Sequence, residues 1–283
     1  MTRIDQFESV FKAATRAPYQ YRPIVVERTL VVTDLPVTEA QAFRVACGSA
    51  LAGLGDDTTW IDAPDDTAAT VEALLQLVER ERPDLICTYR SLHSEGWRTP
   101  FSLGEHLDVL TQATSTPILV MPRPELDAYW QQASPTAHVM ALTDHLTGDA
   151  HLVDWSVRVT PRDGRLTLAH IEDQAIFERY IEAISRIPTI NTDVARSQIG
   201  KQLLKEPSDY IETCRRELRS AGITIEIDSS VDFGHHLDEV ERQVADRSVD
   251  LLVIETKDQD QMAMHGLAYP IAVELRDTPI LML

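Results

Sequence analysis

No stretch of the chain approaches the roughly 18 consecutive apolar residues that a membrane-spanning helix needs, so a transmembrane role is not expected. Cysteine is scarce. Cys47, Cys87 and Cys214 are odd in number, widely separated and without a CxxC pair or a histidine at ligand spacing, which excludes a disulfide framework and a cysteine-based zinc module. Reduced thiols are expected, with Cys87 inside the apolar run Leu85-Ile86-Cys87 as a buried structural one. Basic charge is also short: 26 Lys and Arg face 45 Asp and Glu, for a net charge of -19. Such a chain repels phosphate backbones and anionic lipid headgroups, so neither nucleic acid nor a membrane surface is an expected partner. Met1 to Lys12 mixes Arg3, Asp5 and Glu8 with Phe7, Val10 and Phe11 and lacks the apolar core of a secretion signal, which predicts a cytoplasmic protein. Nucleophilic hydrolysis finds no support either, since no GxSxG elbow occurs and no Ser or Cys has a recognisable base partner.

What is present is enough for two ordinary globular domains: 283 residues, 43% hydrophobic and 25% charged. Three pieces recur in the same order. Leu30-Val31-Val32-Thr33-Asp34 matches Met140-Ala141-Leu142-Thr143-Asp144, and Pro83-Asp84-Leu85-Ile86 matches Val249-Asp250-Leu251-Leu252. Thr116-Pro117-Ile118-Leu119-Val120 matches Thr278-Pro279-Ile280-Leu281-Met282. A recurrence of this kind marks a repeated supersecondary unit. Asp34 and Asp84 are 50 residues apart, whereas Asp144 and Asp250 are 106 apart, so the second copy holds about one βα unit and a helix more.

Short β-branched runs alternating with helical stretches are the mark of βαβ units around a parallel sheet. The first copy predicts helices over 38–52 and 67–82, with Ala42, Val45, Ala46, Ser49 and Ala50 sharing one face of the former and Val71, Leu74, Leu75 and Val78 one face of the latter. The second predicts a strand over 165–170, a helix over 209–221 stopped by Gly222, a third strand over 223–227 and a helix over 236–247. Pro122, Pro124 and Pro135 mark a linker from Pro122 to Ala137. The predicted organisation is therefore an N-terminal helical extension over 1–25, a shortened first domain over 26–124 and a second domain over 136–283. Phe7, Val10, Phe11 and Ala14 would share one face of that extension. The fold class is α/β: two doubly wound, Rossmann-like parallel sheets in tandem.

These ordered pieces resemble the universal stress protein family, over both halves from about Arg28 to Leu283. Asp34 and Asp144 match the strand ending in Asp, and His170-Ile171 matches the strand ending in His and a hydrophobic residue. The Asp-Leu strand and the final Pro-hydrophobic strand are each matched twice. The resemblance implies an adenine-nucleotide-hydrolase-like fold that binds nucleotides, often without transforming them. It also implies a pseudo-dimer within one chain, with Ile118 to Met121 and Ile280 to Leu283 packing edge to edge, or a homodimer.

Family members that hold ATP carry GxxG, nine residues, then Gly followed by Ser or Thr, a loop whose backbone N–H groups approach phosphate unhindered by Cβ. Here Ser91 and Ser94 stand at the first two positions and Gly104 at the last, followed by Glu105. In the second copy the last glycine is Gly266, followed by Leu267, and the loop opens Glu255-Thr256-Lys257-Asp258. A carboxylate near 4 Å from a phosphate oxygen opposes binding by about 1–4 kcal/mol. Weak or absent binding of ATP or AMP is expected, with Asp34, Ser91, Ser94 and Gly104 in the first cleft and Asp144, Gly234 and Gly266 in the second as candidate contacts. Asp34 and Asp144 lie where doubly wound sheets hold their ligands, and equally where a short polar residue caps a turn.

His235 and His236, facing the same cleft as Asp144, are with His145, Glu255 and Asp258 candidate metal ligands, but adjacent histidines do not face one point and a solvated helix start is the simpler reading. His170 reads as a packing histidine at a strand end. No catalytic residue and no metal site is assigned. The function implied is a stress-response or regulatory binding protein rather than an enzyme; the alternative is a nucleotide hydrolase or phosphate-transfer enzyme using Asp34 or Asp144 and a metal.

Overall fold

The computed structural model describes residues 18–63, 67–94, 102–123, 134–143, 149–256 and 268–283, with the side chain of His236 excepted. Residues 1–17 of the expected N-terminal extension and 124–133 of the expected linker lie outside the described residues. Nine strands form one sheet in the order β2-β1-β3-β4-β9-β8-β5-β6-β7. The first half supplies β1 (Arg28–Val31), β2 (Thr59–Asp62), β3 (Leu85–Tyr89) and β4 (Ile118–Met121), with helices α1 (Val37–Ala50), α2 (Val71–Glu81) and α3 (Glu105–Ala113). The second supplies β5 (His138–Thr143), β6 (Arg165–Asp173), β7 (Glu226–Gly234), β8 (Leu251–Ile254) and β9 (Ile280–Met282). Its helices are α4 (Ala150–Val159), α5 (Gln174–Ser185), α6 (Thr192–Ser220), α7 (His236–Arg247) and α8 (Ala268–Glu274). The longer second copy therefore holds one strand and two helices more among the described residues. No helix of the described residues is long and apolar enough to cross a membrane.

Central strands covered by helices on both faces lose the hydrophobic alternation of half-exposed ones. Accordingly β3, β4, β8 and β9 are buried at every residue, and apart from Thr88 and Tyr89 of β3 they are wholly apolar. All strand pairs are parallel except one: β4 and β9 run antiparallel, with Ile118 opposite Met282, Leu119 opposite Leu281 and Val120 opposite Ile280. In the sequence repeat Ile118 corresponds to Ile280 and Val120 to Met282, so the pairing is self-complementary about Leu119 and Leu281, as across a two-fold axis.

Backbone bonding repeats along with the sequence. Asp84 Oδ2 accepts from the N–H groups of Glu27 and Arg28, both at 2.9 Å, while Asp250 Oδ2 accepts from Ala137 at 2.9 Å and His138 at 2.8 Å. The Asp84 N–H donates to Arg28 and the Asp250 N–H to His138, each at 2.9 Å. One Asp just before the repeated Asp-Leu strand, β3 in the first half and β8 in the second, thus clips the entry of the first strand beside it, and it does so twice. Charge-assisted bonds to otherwise unpartnered N–H groups explain why this residue recurs.

The halves also interlock away from the strand seam. Buried Arg90, following β3, sends its guanidinium to the carbonyls of Ala272 (2.7 Å) and Leu275 (2.6 Å) at the end of α8. Those carbonyls have no partner within the helix, so a cation there satisfies both their hydrogen bonding and the helix dipole. Arg158 of α4 donates to the carbonyls of Gly53 (2.7 Å) and Leu54 (3.1 Å) in the 3-10 turn after α1. Gly53 presses so closely on α4 that an added Cβ would stand 2.3 Å from the Val159 carbonyl carbon.

Two expectations are corrected. The third strand of the second half runs Glu226–Gly234 rather than over 223–227. As the outermost strand it pairs only with β6, and its polar residues Asp228, Ser229 and Asp232 mask a strand that burial does not have to stabilise. Helix α1 buries Phe43, Ala46, Cys47 and Ala50, whereas Val45 is 65% exposed and Ala42 is exposed too. The large Phe43 against Tyr89, ring centres 5.2 Å apart, rotates the packed face away from the small-residue stripe.

Replacing Asp84 or Asp250 by Ala is expected to cost about 1–3 kcal/mol in each case, because two backbone donors lose one charged acceptor. Urea unfolding of the two variants checks this, and their losses should agree within about 1 kcal/mol because the two clips share one geometry. Arg90→Leu should cost about 2–4 kcal/mol, because buried carbonyls of α8 are left without a donor; Arg90→Lys, lacking the planar fork, should recover under half of the loss in the same measurement.

Candidate functional site

The cleft of the first half lies at the carboxyl ends of β1 and β3, the edge at which doubly wound sheets place their ligands. Asp34 follows β1 and is half-buried. Both its oxygens are engaged: Oδ1 accepts from the hydroxyl of Tyr89, and Oδ2 accepts from the backbone N–H of His93 at 2.6 Å. The Asp34 N–H in turn donates to the Tyr89 hydroxyl, which also contacts Thr33 Oγ1, each at 3.0 Å. Burial first, and then Asp34, drives the Tyr89 phenol well above its ordinary ionisation range, so it remains a proton donor. The result is a clasp tying the end of β1 to the loop after β3.

That loop replaces the glycine-rich stretch. Ser91 and His93 adopt left-handed backbone conformations, with φ of 59° and 53°, which non-glycine residues take only where surroundings over-determine them. Ser91 is 1% exposed; its N–H donates to the Leu103 carbonyl at 2.8 Å, and its own carbonyl accepts from Ser94 N–H at 3.1 Å. Gly104, with φ of 93°, starts α3. An added Cβ there would stand 2.7 Å from Ser91 Cα, so glycine is required for the loop's own packing. Ser91, Ser94 and Gly104 are thus brought together with Asp34 at one end of the sheet, and the Ser91 backbone occupies the room above Gly104. Val32, Leu74, Thr88, Tyr89, Leu92 and His106 pack together there and leave no space that admits a water molecule.

Two residues of this cleft escaped the sequence reading. His93 and His106 stand with ring centres 5.2 Å apart. His106 is 8% exposed, and its ionisation is lowered, chiefly by burial and then by His93. A bond to the Ala69 carbonyl acts the other way. The sequence carried one signal, a His two residues past the last glycine position, but only the fold brings it to His93.

In the second half Asp144, His145, Asp258 and Gly266 lie outside the described residues. Gly234 ends β7, and a Cβ there would meet Glu239 Cβ and Cγ at 3.0 Å, so an acidic side chain of α7 covers that position. Gly234 sits on the outermost strand, two strands from β5. Glu255, after β8, faces His151 of α4, with Oε2 to Nδ1 at 3.4 Å, and the other ring nitrogen of His151 accepts from Trp155 Nε1 at 3.1 Å. Thr256 is buried, and its N–H donates to the Leu283 carbonyl at 3.0 Å. His235 is exposed at the start of α7, and His170, 6% exposed, lies beside Glu172 at 3.2 Å. Among the described residues no group of three or more His, Cys, Asp or Glu side chains is placed to hold a metal ion. The three cysteines are buried and unbridged, and burial pushes Cys214 up to about 12.

The topology defines a nine-stranded, mostly parallel α/β sheet with its described clasp at a strand carboxyl edge. No family model matches the chain, and no curated protein matches it. Solved structures do. A functionally unknown protein from Pseudomonas aeruginosa PAO1 is 13% identical over 92% of both chains, with a TM-score of 0.47. A universal stress protein from Pseudomonas aeruginosa UCBPP-PA14 is 13% identical over 92% of this chain and 93% of its own, TM-score 0.48. Another from Archaeoglobus fulgidus DSM 4304 is 12% identical over 97% of this chain and 88% of its own, TM-score 0.42. The latter two carry the family name that the sequence resembles; at these identities the likeness is one of architecture, and the topology rests on its own strand pairings.

The Glu255 carboxylate, the largest influence on His151, raises that imidazole's ionisation above its ordinary value of 6.5. Any stability from the pair is present below pH 6.5 and is lost as pH rises through the folded midpoint. An NMR titration should place His151 above 6.5 in the native protein, and Glu255→Gln should bring it down.

Proposed function

We propose that the chain is a regulatory, stress-response type of binding protein, acting in the cytoplasm, with weak or absent ATP binding and no turnover. The observation that carries this is the clasp: the Asp34 carboxylate, the candidate adenine or ribose contact, is already consumed by Tyr89 and by the His93 backbone. A nucleotide would have to displace both bonds and find room where the Ser91 backbone rests on Gly104. Two charge-assisted bonds of this kind would oppose it by about 3 kcal/mol or more.

In the same reading, the β4–β9 seam supplies within one chain the edge-to-edge contact that would otherwise join two separate subunits, leaving a pseudo-dimer. The proposed domains, 26–124 and 136–283, are the two copies meeting at that seam.

Calorimetry with ATP and AMP up to millimolar concentration should give no saturable heat. Binding in the micromolar range that Asp34→Ala abolishes would overturn the proposal, and release of ADP with Mg above an Asp34→Ala control would instead favour a nucleotide-processing enzyme.

A further inference from the structure

We propose that His93 and His106 form a binding site for a borderline transition-metal ion of the Zn²⁺ type in the first cleft, distinct from any nucleotide contact. Three observations carry it. First, the Nε2 atoms of both rings are buried and have no hydrogen-bond partner among the described residues. Buried polar atoms are normally paired, and an imidazole nitrogen left as a bare lone pair is a ligand in waiting. His106 is more than nine-tenths buried, so bulk water does not serve it.

Second, the His106 ring is held from behind and the His93 backbone is fixed. The Ala69 carbonyl lies near enough to the His106 ring to favour a proton there, and with Nε2 unpartnered it is Nδ1 that is left to face it. This is the arrangement that orients metal-binding histidines, in which the far N–H is fixed by a carbonyl and the near nitrogen keeps its lone pair. His93 is positioned by its own backbone, whose N–H is gripped by Asp34 at 2.6 Å.

Third, the spacing fits. Two imidazoles joined through Nε2 to one tetrahedral ion, with metal–nitrogen bonds of about 2.0 Å, hold their ring centres about 5 Å apart. The observed separation is 5.2 Å. Asp34 and Glu105 lie near enough to favour positive charge at His106, which suits a cation and not an anion. Imidazole donors select Zn²⁺, Cu²⁺ or Ni²⁺ over Mg²⁺ or Ca²⁺, whose preference is for oxygen. Two protein ligands are fewer than the four of a structural zinc site, so reversible binding is expected rather than a structural ion.

The test uses the full chain, stripped with chelator and dialysed, titrated with Zn²⁺ by calorimetry and with Co²⁺ by visible absorption. One ion per chain should bind, and the Co²⁺ complex should show the intense bands of a tetrahedral centre. His106→Gln and His93→Asn should each weaken Zn²⁺ binding at least tenfold, whereas His235→Ala and His151→Ala, both on exposed helix starts of the second half, should leave it unchanged. Should His106→Gln fail to fold by circular dichroism, His93→Asn carries the test, since Asn accepts the left-handed backbone and keeps the N–H bonded to Asp34. Absence of saturable one-to-one binding, or unchanged affinity in His93→Asn, would overturn the site. Neither outcome depends on whether ATP binds.

Discussion

The antiparallel contact of β4 with β9 is the constraint on which the remaining architecture depends. Every other strand pair in the sheet is parallel, and a parallel strand needs a crossover to reach its neighbour. Joining two wound sheets at their last strands through an antiparallel seam needs none. It removes two exposed edges at once, and it places Leu119 and Leu281 at the centre of a self-complementary register. Arg90 reaching α8 and Arg158 reaching the turn after α1 then lock the two halves at the sides of that seam.

Once the halves are joined this way, the clefts at their carboxyl edges become separate problems, and the chain has solved the first of them by closure. Asp34, Tyr89 and the His93 backbone form one hydrogen-bonded unit, with Ser91 strained into a left-handed conformation above Gly104. Strain of this kind is retained where function or packing holds it in place. The closure leaves several buried polar atoms unpartnered among the described residues, including Ser91 Oγ and the Nε2 atoms of His93 and His106, and it is the two imidazoles that carry the proposal of a cation site.

Much of the framework was legible because it depends on local pattern. Burial on both faces makes β4, β8 and β9 into continuous apolar runs, and the Thr-Pro strands were visible as a repeat, while their packing edge to edge was implied by the family resemblance. The Asp of the Asp-Leu strand was visible as a repeat, though its task of clipping the first strand emerged only from the hydrogen bonds. Edge strands β2 and β7 were harder: they are only half-covered, so Thr59–Asp62 and the polar end of Glu226–Gly234 carry little hydrophobic signal. The packed face of α1 was misread because the bulk of Phe43, set by contact with Tyr89, outweighs the stripe of small residues. At the site, Asp34 and Gly104 were marked by the resemblance to the family pattern. His93 and His106 were not, since their proximity is created by the loop conformation and by no periodicity.

Hydrogen–deuterium exchange of the β4 and β9 amides tests the central claim most directly. If the seam is an integral part of one sheet, peptides containing Ile118–Met121 and Ile280–Met282 exchange as slowly as those of β3 and β8 and lose protection in a single step with them. Early exchange at both seam strands, while β3 and β8 stay protected, would show two halves that merely touch and would contradict the account.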